Sequence, residues 1–141
     1  MKKLLAALVI AAASAATIPA QAQSDPAAFV RAHVQKIAAG DTAALASDYR
    51  SDAFLWWVGG PLDGSYTGPA IESVWKKFAA AQGTLQGDVS DLTVAANPSG
   101  QTVIANAIYR GEKGTLSIRQ VILVRDARVQ DEIWQIVPAA K

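Results

Sequence analysis

The chain has 141 residues, with 13 basic and 12 acidic side chains, one histidine and no cysteine. The balanced charge gives no indication of the basic patch that a nucleic-acid binder needs, and the only adjacent basic pair beyond the N-terminus is Lys76-Lys77. One histidine and no cysteine argue against a transition-metal site, so we predict no metal and no other cofactor, although scattered aspartates leave a loose oxygen-ligand site open. Without disulfides, the fold must be held by packing alone.

The first 22 residues are typical of an export signal. Lys2 and Lys3 precede an apolar run, LLAALVIAAASAA, that is too short to span a bilayer, and Ala20-Gln21-Ala22 is a small-x-small cleavage site. We therefore predict cleavage after Ala22 and a periplasmic or secreted protein with no membrane span after cleavage. The mature domain, residues 23–141, would carry 11 basic against 12 acidic side chains.

Three helices are predicted in the first half of the mature chain. The first begins at Asp25-Pro26 and ends at Gly40, with the single histidine, His33, on its apolar stripe. Asp41 caps a second helix from Thr42 to about Tyr49. After a short strand over 53–58 and a glycine-rich turn, Gly68-Pro69 opens a third helix that ends at Gln82-Gly83.

The second half predicts an antiparallel meander. Four runs rich in Val, Ile and Thr, beginning near Asp88, are separated by short turns such as Asn97-Pro98-Ser99-Gly100. The fold class is therefore α+β. Both alternating faces of the last two runs are apolar, so we expect the face turned away from the helices to be covered, most simply by a second copy of the chain in a homodimer.

Two segments, GDTAALASDYRSDAFLWWVGG (40–60) and YTGPAIESVWKKF (66–78), resemble the NTF2-like superfamily, which includes ketosteroid isomerase and the SnoaL polyketide cyclases. Together with the predicted export signal, it suggests an exported bacterial member. The resemblance implies a cone-shaped fold: three N-terminal helices on a curved, mainly antiparallel sheet, around an apolar pocket. Large rings can line such a pocket or fill it. The residues that we predict to bind a ligand there are Leu55, Trp57, Trp75, Phe78, Arg119 and Trp134. Trp56, on the opposite strand face, is a candidate dimer contact or a residue of a peripheral core.

Ketosteroid isomerase supplies a comparison of possible catalytic positions. When the sequence pattern of that enzyme is aligned with this chain, its phenolic donor corresponds to His33, its aspartate base to Trp57 and its second oxyanion donor to a position near Arg119. None of the three residue types is retained. His33 is the one candidate acid/base, and it could equally be a hydrogen-bonded core histidine. Arg119 could pair with Glu132, meet a ligand carboxylate in the pocket, or lie in solvent.

Three functions remain open from the sequence. The first is an exported domain that binds a small apolar or weakly acidic molecule in a tryptophan-lined pocket. The alternatives are a SnoaL-like or ketosteroid-isomerase-like enzyme that uses His33 in acid/base chemistry, and a non-catalytic dimerisation or interaction module whose cone is filled by its own tryptophans.

Overall fold

A computed structural model describes residues 25–138, so the predicted signal peptide lies outside the described residues. The elements follow one another as α1 (Pro26–Ala39), α2 (Thr42–Ser47), β1 (Tyr49–Val58), β2 (Gly64–Thr67), α3 (Pro69–Gln82), β3 (Gln86–Asn97), β4 (Gly100–Gly111), β5 (Gly114–Arg125) and β6 (Arg128–Val137). The α+β class and the three helices are confirmed. Within this range, no helix is long and apolar enough to cross a membrane.

The helix boundaries follow local capping chemistry. The side chain of Asp25 accepts a hydrogen bond from the amide of Ala27 (3.0 Å), with Pro26 at the first helical position. Gly40 ends α1 in the left-handed conformation (φ 70°), and Asp41 caps α2 by accepting from the amide of Ala44 (3.1 Å). These signals are local in sequence, which is why the ends of α1 are as predicted.

The six strands form one sheet in the order β2-β1-β6-β5-β4-β3. All neighbouring strands are antiparallel except β1 and β6, which pair in parallel, so that the first strand lies beside the last. The sequence analysis missed two features: β1 begins at Tyr49 rather than Ala53, and the turn after it leads into β2, which pairs back on β1. Register shifts in β3 and between Leu123 and Val124 mark bulges, which bend a sheet.

The concave, inner face of the sheet packs on the helices and forms the core. Alternate residues of β1, β4, β5 and β6 are buried there, including Leu55, Trp57 and Trp134. The helices contribute Val30, Val34, Ile37, Ile71, Val74, Trp75 and Phe78. The residues between these strand positions form the outer face, which no described element covers. The inner face therefore holds the candidate site, while the outer face remains available to a partner.

Candidate functional site

Four aromatic rings meet in the interior of the cone. Trp57 and Trp134 lie opposite each other on β1 and β6, and α3 brings Trp75 and Phe78 against them. The six centroid separations among these rings run from 4.1 to 5.8 Å, in tilted and edge-to-face arrangements. All four side chains are buried. We call these four residues the aromatic cluster; Leu55 lies fully buried on the same face of β1.

The indole N–H groups in the aromatic cluster differ in whether they have a partner. The Nε1 of Trp75 donates to the hydroxyl of Tyr49 at 3.0 Å. The Nε1 atoms of Trp57 and Trp134 are buried and have no hydrogen-bond partner among the described residues. The hydroxyl of Tyr109 lies near the indole of Trp134 but outside hydrogen-bonding geometry. The interior thus contains two buried donors without an acceptor, and that of Trp57 is the more isolated.

A second feature is a buried polar network around His33. Its Nδ1 lies 2.9 Å from Oδ2 of Asp48, and its Nε2 lies 3.2 Å from Oε2 of Glu132. His33 and Glu132 are fully buried, whereas Asp48 also receives a hydrogen bond from Lys36 Nζ at 2.5 Å. The hydroxyl of Tyr49 donates to Glu132 Oε2, and Gln120 Nε2 donates to Glu132 Oε1 at 2.8 Å. We call these six residues the His33 network.

The charges of this network are mutually dependent. Burial by itself lowers the pKa of His33, but the charge and hydrogen bonds of Glu132 and Asp48 outweigh it and raise the pKa to about 9. Burial raises the pKa of each carboxyl group, yet His33 and its neighbours hold the pKa values of Asp48 and Glu132 below the ordinary value. Burial and Glu132 raise the pKa of Tyr49 well above 10. At neutral pH the network therefore contains an imidazolium between two carboxylates.

The structure places Arg119 away from the other predicted site residues. Arg119 is exposed on the outer face of β5, and the inward position beside it belongs to Gln120, which is fully buried. The proposed pairing of Arg119 with Glu132 is wrong, since Glu132 pairs with His33. The physical reason is register: Ile122 lies opposite Glu132 and Gln120 opposite Trp134, so the even-numbered positions of β5 face inward.

Four residues of the network, Lys36, Asp48, Gln120 and Glu132, were not predicted to accompany His33. A signal for Glu132 exists in the sequence: it lies two positions before Trp134 on the same strand, so that an inward Trp134 requires an inward Glu132. Asp48 has no such signal, because it follows α2 as its C-cap residue and reaches His33 only after the helices pack.

A shallow cleft of about 210 Å³ opens elsewhere, between the end of α2 and the first turn of α3. It is lined by Ala46, Tyr49, Arg50, Ser51, Gly68, Pro69, Ile71 and Glu72. None of the four residues of the aromatic cluster lines it. Among residues 25–138, no group of three or more His, Cys, Asp or Glu side chains is arranged to hold a metal ion.

Several solved structures share the arrangement of helices and strands over most of the chain. An NTF2-like protein of unknown function from Pseudomonas aeruginosa aligns with a TM-score of 0.63 at 13% identity, covering 80% of this chain and 96% of the other. The chain has the NTF2-like fold. A scan of protein-family models found no match, and no curated protein sequence matches the chain.

Two further structures with the NTF2-like arrangement bear functional descriptions of their own. A Bacillus subtilis protein described as a candidate isomerase aligns with a TM-score of 0.64 at 21% identity, covering 79% of this chain and 86% of that one. A candidate calcium/calmodulin-dependent protein kinase II association domain from Xanthomonas campestris aligns with a TM-score of 0.63 at 15% identity, covering 82% and 87%. At these identities the likeness establishes the fold alone.

Proposed function

We propose that this exported domain binds a small, largely apolar molecule that carries a neutral hydrogen-bond acceptor, and that it does so at the aromatic cluster. The observation that supports this most directly is the pair of buried indole donors, Trp57 Nε1 and Trp134 Nε1, without partners. A buried polar group without a partner costs about 1–3 kcal/mol, a substantial part of the roughly 5–15 kcal/mol that stabilises a domain. A ligand oxygen that accepts from these groups would recover that cost.

The surroundings of the donors restrict the chemistry of the ligand. The rings of the aromatic cluster and Leu55 offer apolar contact, so the body of the ligand is apolar. The one buried imidazolium, His33, is already paired with two carboxylates, and Arg119 lies on the outer face. An ionised carboxylate would therefore be buried without a cation, which favours a carbonyl group or an acid in its neutral form.

The acid/base alternative has little support from the geometry of His33. Its side chain is fully buried and both ring nitrogens are occupied by carboxylates. With a pKa raised to about 9, the ring is protonated at neutral pH and cannot accept a proton as a general base. The isomerase description of the Bacillus subtilis neighbour therefore does not extend to an activity of this histidine.

A filled-cone interaction module is the second candidate, because the rings of the aromatic cluster contact one another. The closest pair, Trp57 and Trp134, has centroids 4.1 Å apart. Such contacts stabilise a core without any ligand. On this alternative, the domain acts through its surface, as the description of the Xanthomonas campestris neighbour as an association domain suggests for that protein.

Two matched probes separate the candidates: 1-indanone and indane, which share a bicyclic frame and differ chiefly in one carbonyl oxygen. The readout is the ¹⁵N–¹H spectrum of the indole groups, of which the chain has four. We expect 1-indanone to shift the resonances of Trp57 and Trp134, and indane to bind several-fold more weakly, because one net hydrogen bond contributes about 1 kcal/mol.

Variants identify the donor in this titration. Trp57→Phe should remove the preference for 1-indanone over indane, whereas Trp75→Phe, whose indole donor is already used within the protein, should retain it. Native mass spectrometry of protein purified from the periplasm, compared with the denatured mass, tests for a retained natural ligand. Indole resonances unmoved by either probe, with no retained mass, would reject the binding proposal in favour of the filled-cone module.

A further inference from the structure

Two arginines lie opposite each other where β5 turns into β6. Arg125 ends β5 and Arg128 begins β6, and the two are direct partners in the strand register. The turn between them consists of Asp126 and Ala127, both with positive φ (49° and 56°), as in a tight type I′ hairpin. Val124, the residue before Arg125, is buried in the core, so both arginines project from the outer face of the sheet.

The carboxylate within this hairpin is engaged elsewhere. Asp126 Oδ2 lies 2.6 Å from Nη1 of Arg50, whose Nε lies 3.2 Å from Asp52 Oδ1. Neither Arg125 nor Arg128 forms an ion pair with any residue in the range 25–138. Like charges directly opposite each other in a sheet are destabilising. Two neighbouring guanidinium groups without a counterion therefore favour the binding of an anion between them.

The two arginines differ in how firmly they are held. The Nε atom of Arg125 is buried and has no hydrogen-bond partner among the described residues. Its stem lies against Gly100 on β4, where a Cβ would come within 3.0 Å of Arg125 Cγ. Because buried donors in folded proteins almost always have a partner, this Nε indicates an acceptor that residues 25–138 do not supply. Arg128 is exposed, so its side chain can close over a group bound at Arg125.

We propose that Arg125 and Arg128 together bind a tetrahedral oxyanion, the phosphate group of a phosphate monoester. Each guanidinium presents its N–H donors as a planar fork. A carboxylate has two oxygens and satisfies one fork, whereas a phosphate has enough oxygens for two. A phosphate monoester also carries a charge of about −1.5 to −2 near neutral pH, which balances two arginines. The site lies on the outer face, so it is independent of ligand binding at the aromatic cluster.

Titration with inorganic phosphate and with acetate, at constant ionic strength and neutral pH, tests the site. The readout is the ¹⁵N–¹H spectrum of the arginine Nε groups. We expect phosphate to shift the resonances of Arg125 and Arg128, and acetate to bind about fivefold more weakly or worse, because it satisfies only one fork. Arg125→Gln and Arg128→Gln should each weaken phosphate binding by about the same factor. Arg119→Gln, on the outer face of the same strand, is the matched control and should leave phosphate binding unchanged.

Thermal unfolding separates this role from a structural one. Without phosphate, Arg128→Gln removes one of two like charges and should be at least as stable as the wild type. Phosphate should raise the unfolding temperature of the wild type by more than that of the variant, because a ligand stabilises the folded state that binds it. A variant less stable than the wild type without phosphate would show that Arg128 is already neutralised within the domain, for example by Asp131 on the same strand, and would overturn the proposal.

Flotation with lipid vesicles distinguishes two sources of the phosphate group. If the natural group is a lipid headgroup, vesicles of phosphatidylcholine with phosphatidic acid should recover the wild type but not Arg125→Gln. Phosphate binding in solution without recovery on these vesicles assigns a soluble phosphate ester. The proposal is rejected if phosphate leaves the resonances of Arg125 and Arg128 unmoved, if acetate binds equally well, or if Arg31 on α1 shifts to the same extent, which would indicate general charge screening.

Discussion

The His33 network makes the stability of the domain depend on pH between about 6.5 and 9, an interval in which few other side chains titrate. The pKa of His33 is raised to about 9 in the folded protein from about 6.5 in the unfolded chain. The imidazolium therefore contributes its full stabilisation below about pH 6.5, and this contribution is lost as the pH rises through about 9. We expect the free energy of unfolding to fall across this interval.

The size of the fall follows from the two pKa values. The difference between 6.5 and about 9 corresponds to about 3 kcal/mol, which is a large part of the roughly 5–15 kcal/mol available to a domain. The charged and titratable groups that face His33 are Asp48 and Lys36 from the helical side, Tyr49 from β1 and Glu132 from β6. The carboxyl pKa values are lowered and the pKa of Tyr49 lies well above 10, so these three groups titrate outside the interval.

Urea denaturation, followed by tryptophan fluorescence at a series of pH values, measures this effect. The chain has a single histidine and no cysteine, so apart from an N-terminal amine few groups can titrate between pH 6.5 and 9. His33→Gln, which keeps a polar side chain but cannot become an imidazolium, should be less stable at pH 6.5 and should lose most of the pH dependence. An unfolding free energy that stays flat across the interval, or a slope that survives in His33→Gln, would refute the reasoning.

Two comparisons of stability test the packing of the domain. Gly100→Ala should destabilise the domain by more than Gly114→Ala. Both residues have positive φ (138° and 118°). Of the two, only Gly100 lies where a new Cβ would overlap a backbone carbonyl oxygen, that of Val124. Equal losses in thermal unfolding would contradict this. Trp75→Phe should lower the free energy of unfolding by about 1 kcal/mol more than Trp57→Phe, because only the change at Trp75 removes an indole hydrogen bond. Urea denaturation at pH 6 measures both losses. A larger loss for Trp57→Phe would contradict this assignment of the hydrogen bond.

The candidate site was partly predictable because strand alternation places residues two apart on one face. That rule brings Leu55 and Trp57 inward together, and helical spacing brings Trp75 and Phe78 toward them. The same rule failed for Arg119, because alternation within one strand does not reveal which of its two faces is the inner one. The sequence analysis counted Arg119 among the inward, ligand-binding positions and left open its pairing with Glu132 or its exposure to solvent; the structure places Arg119 outward and pairs Glu132 with His33.

The α+β class and the ends of α1 and α3 could be predicted from the sequence, whereas α2 ends at Ser47, earlier than predicted, and Tyr49 begins β1. An aspartate cap with a following proline, as at Asp25 and Pro26, and a left-handed glycine, as at Gly40, act within one helical turn. The burial of His33 was also predictable, because helical periodicity assigns it to the apolar stripe of α1.

Contacts between residues far apart in the chain could not be predicted from local sequence. The parallel pairing of β1 with β6 joins segments some 80 residues apart, and it brings Tyr49 and Glu132 into one hydrogen bond. The contact between His33 and Glu132 spans 99 residues. Such partners depend on the register of long-range pairing and on how the helices dock, both of which are set by the packing of the whole core rather than by local propensity.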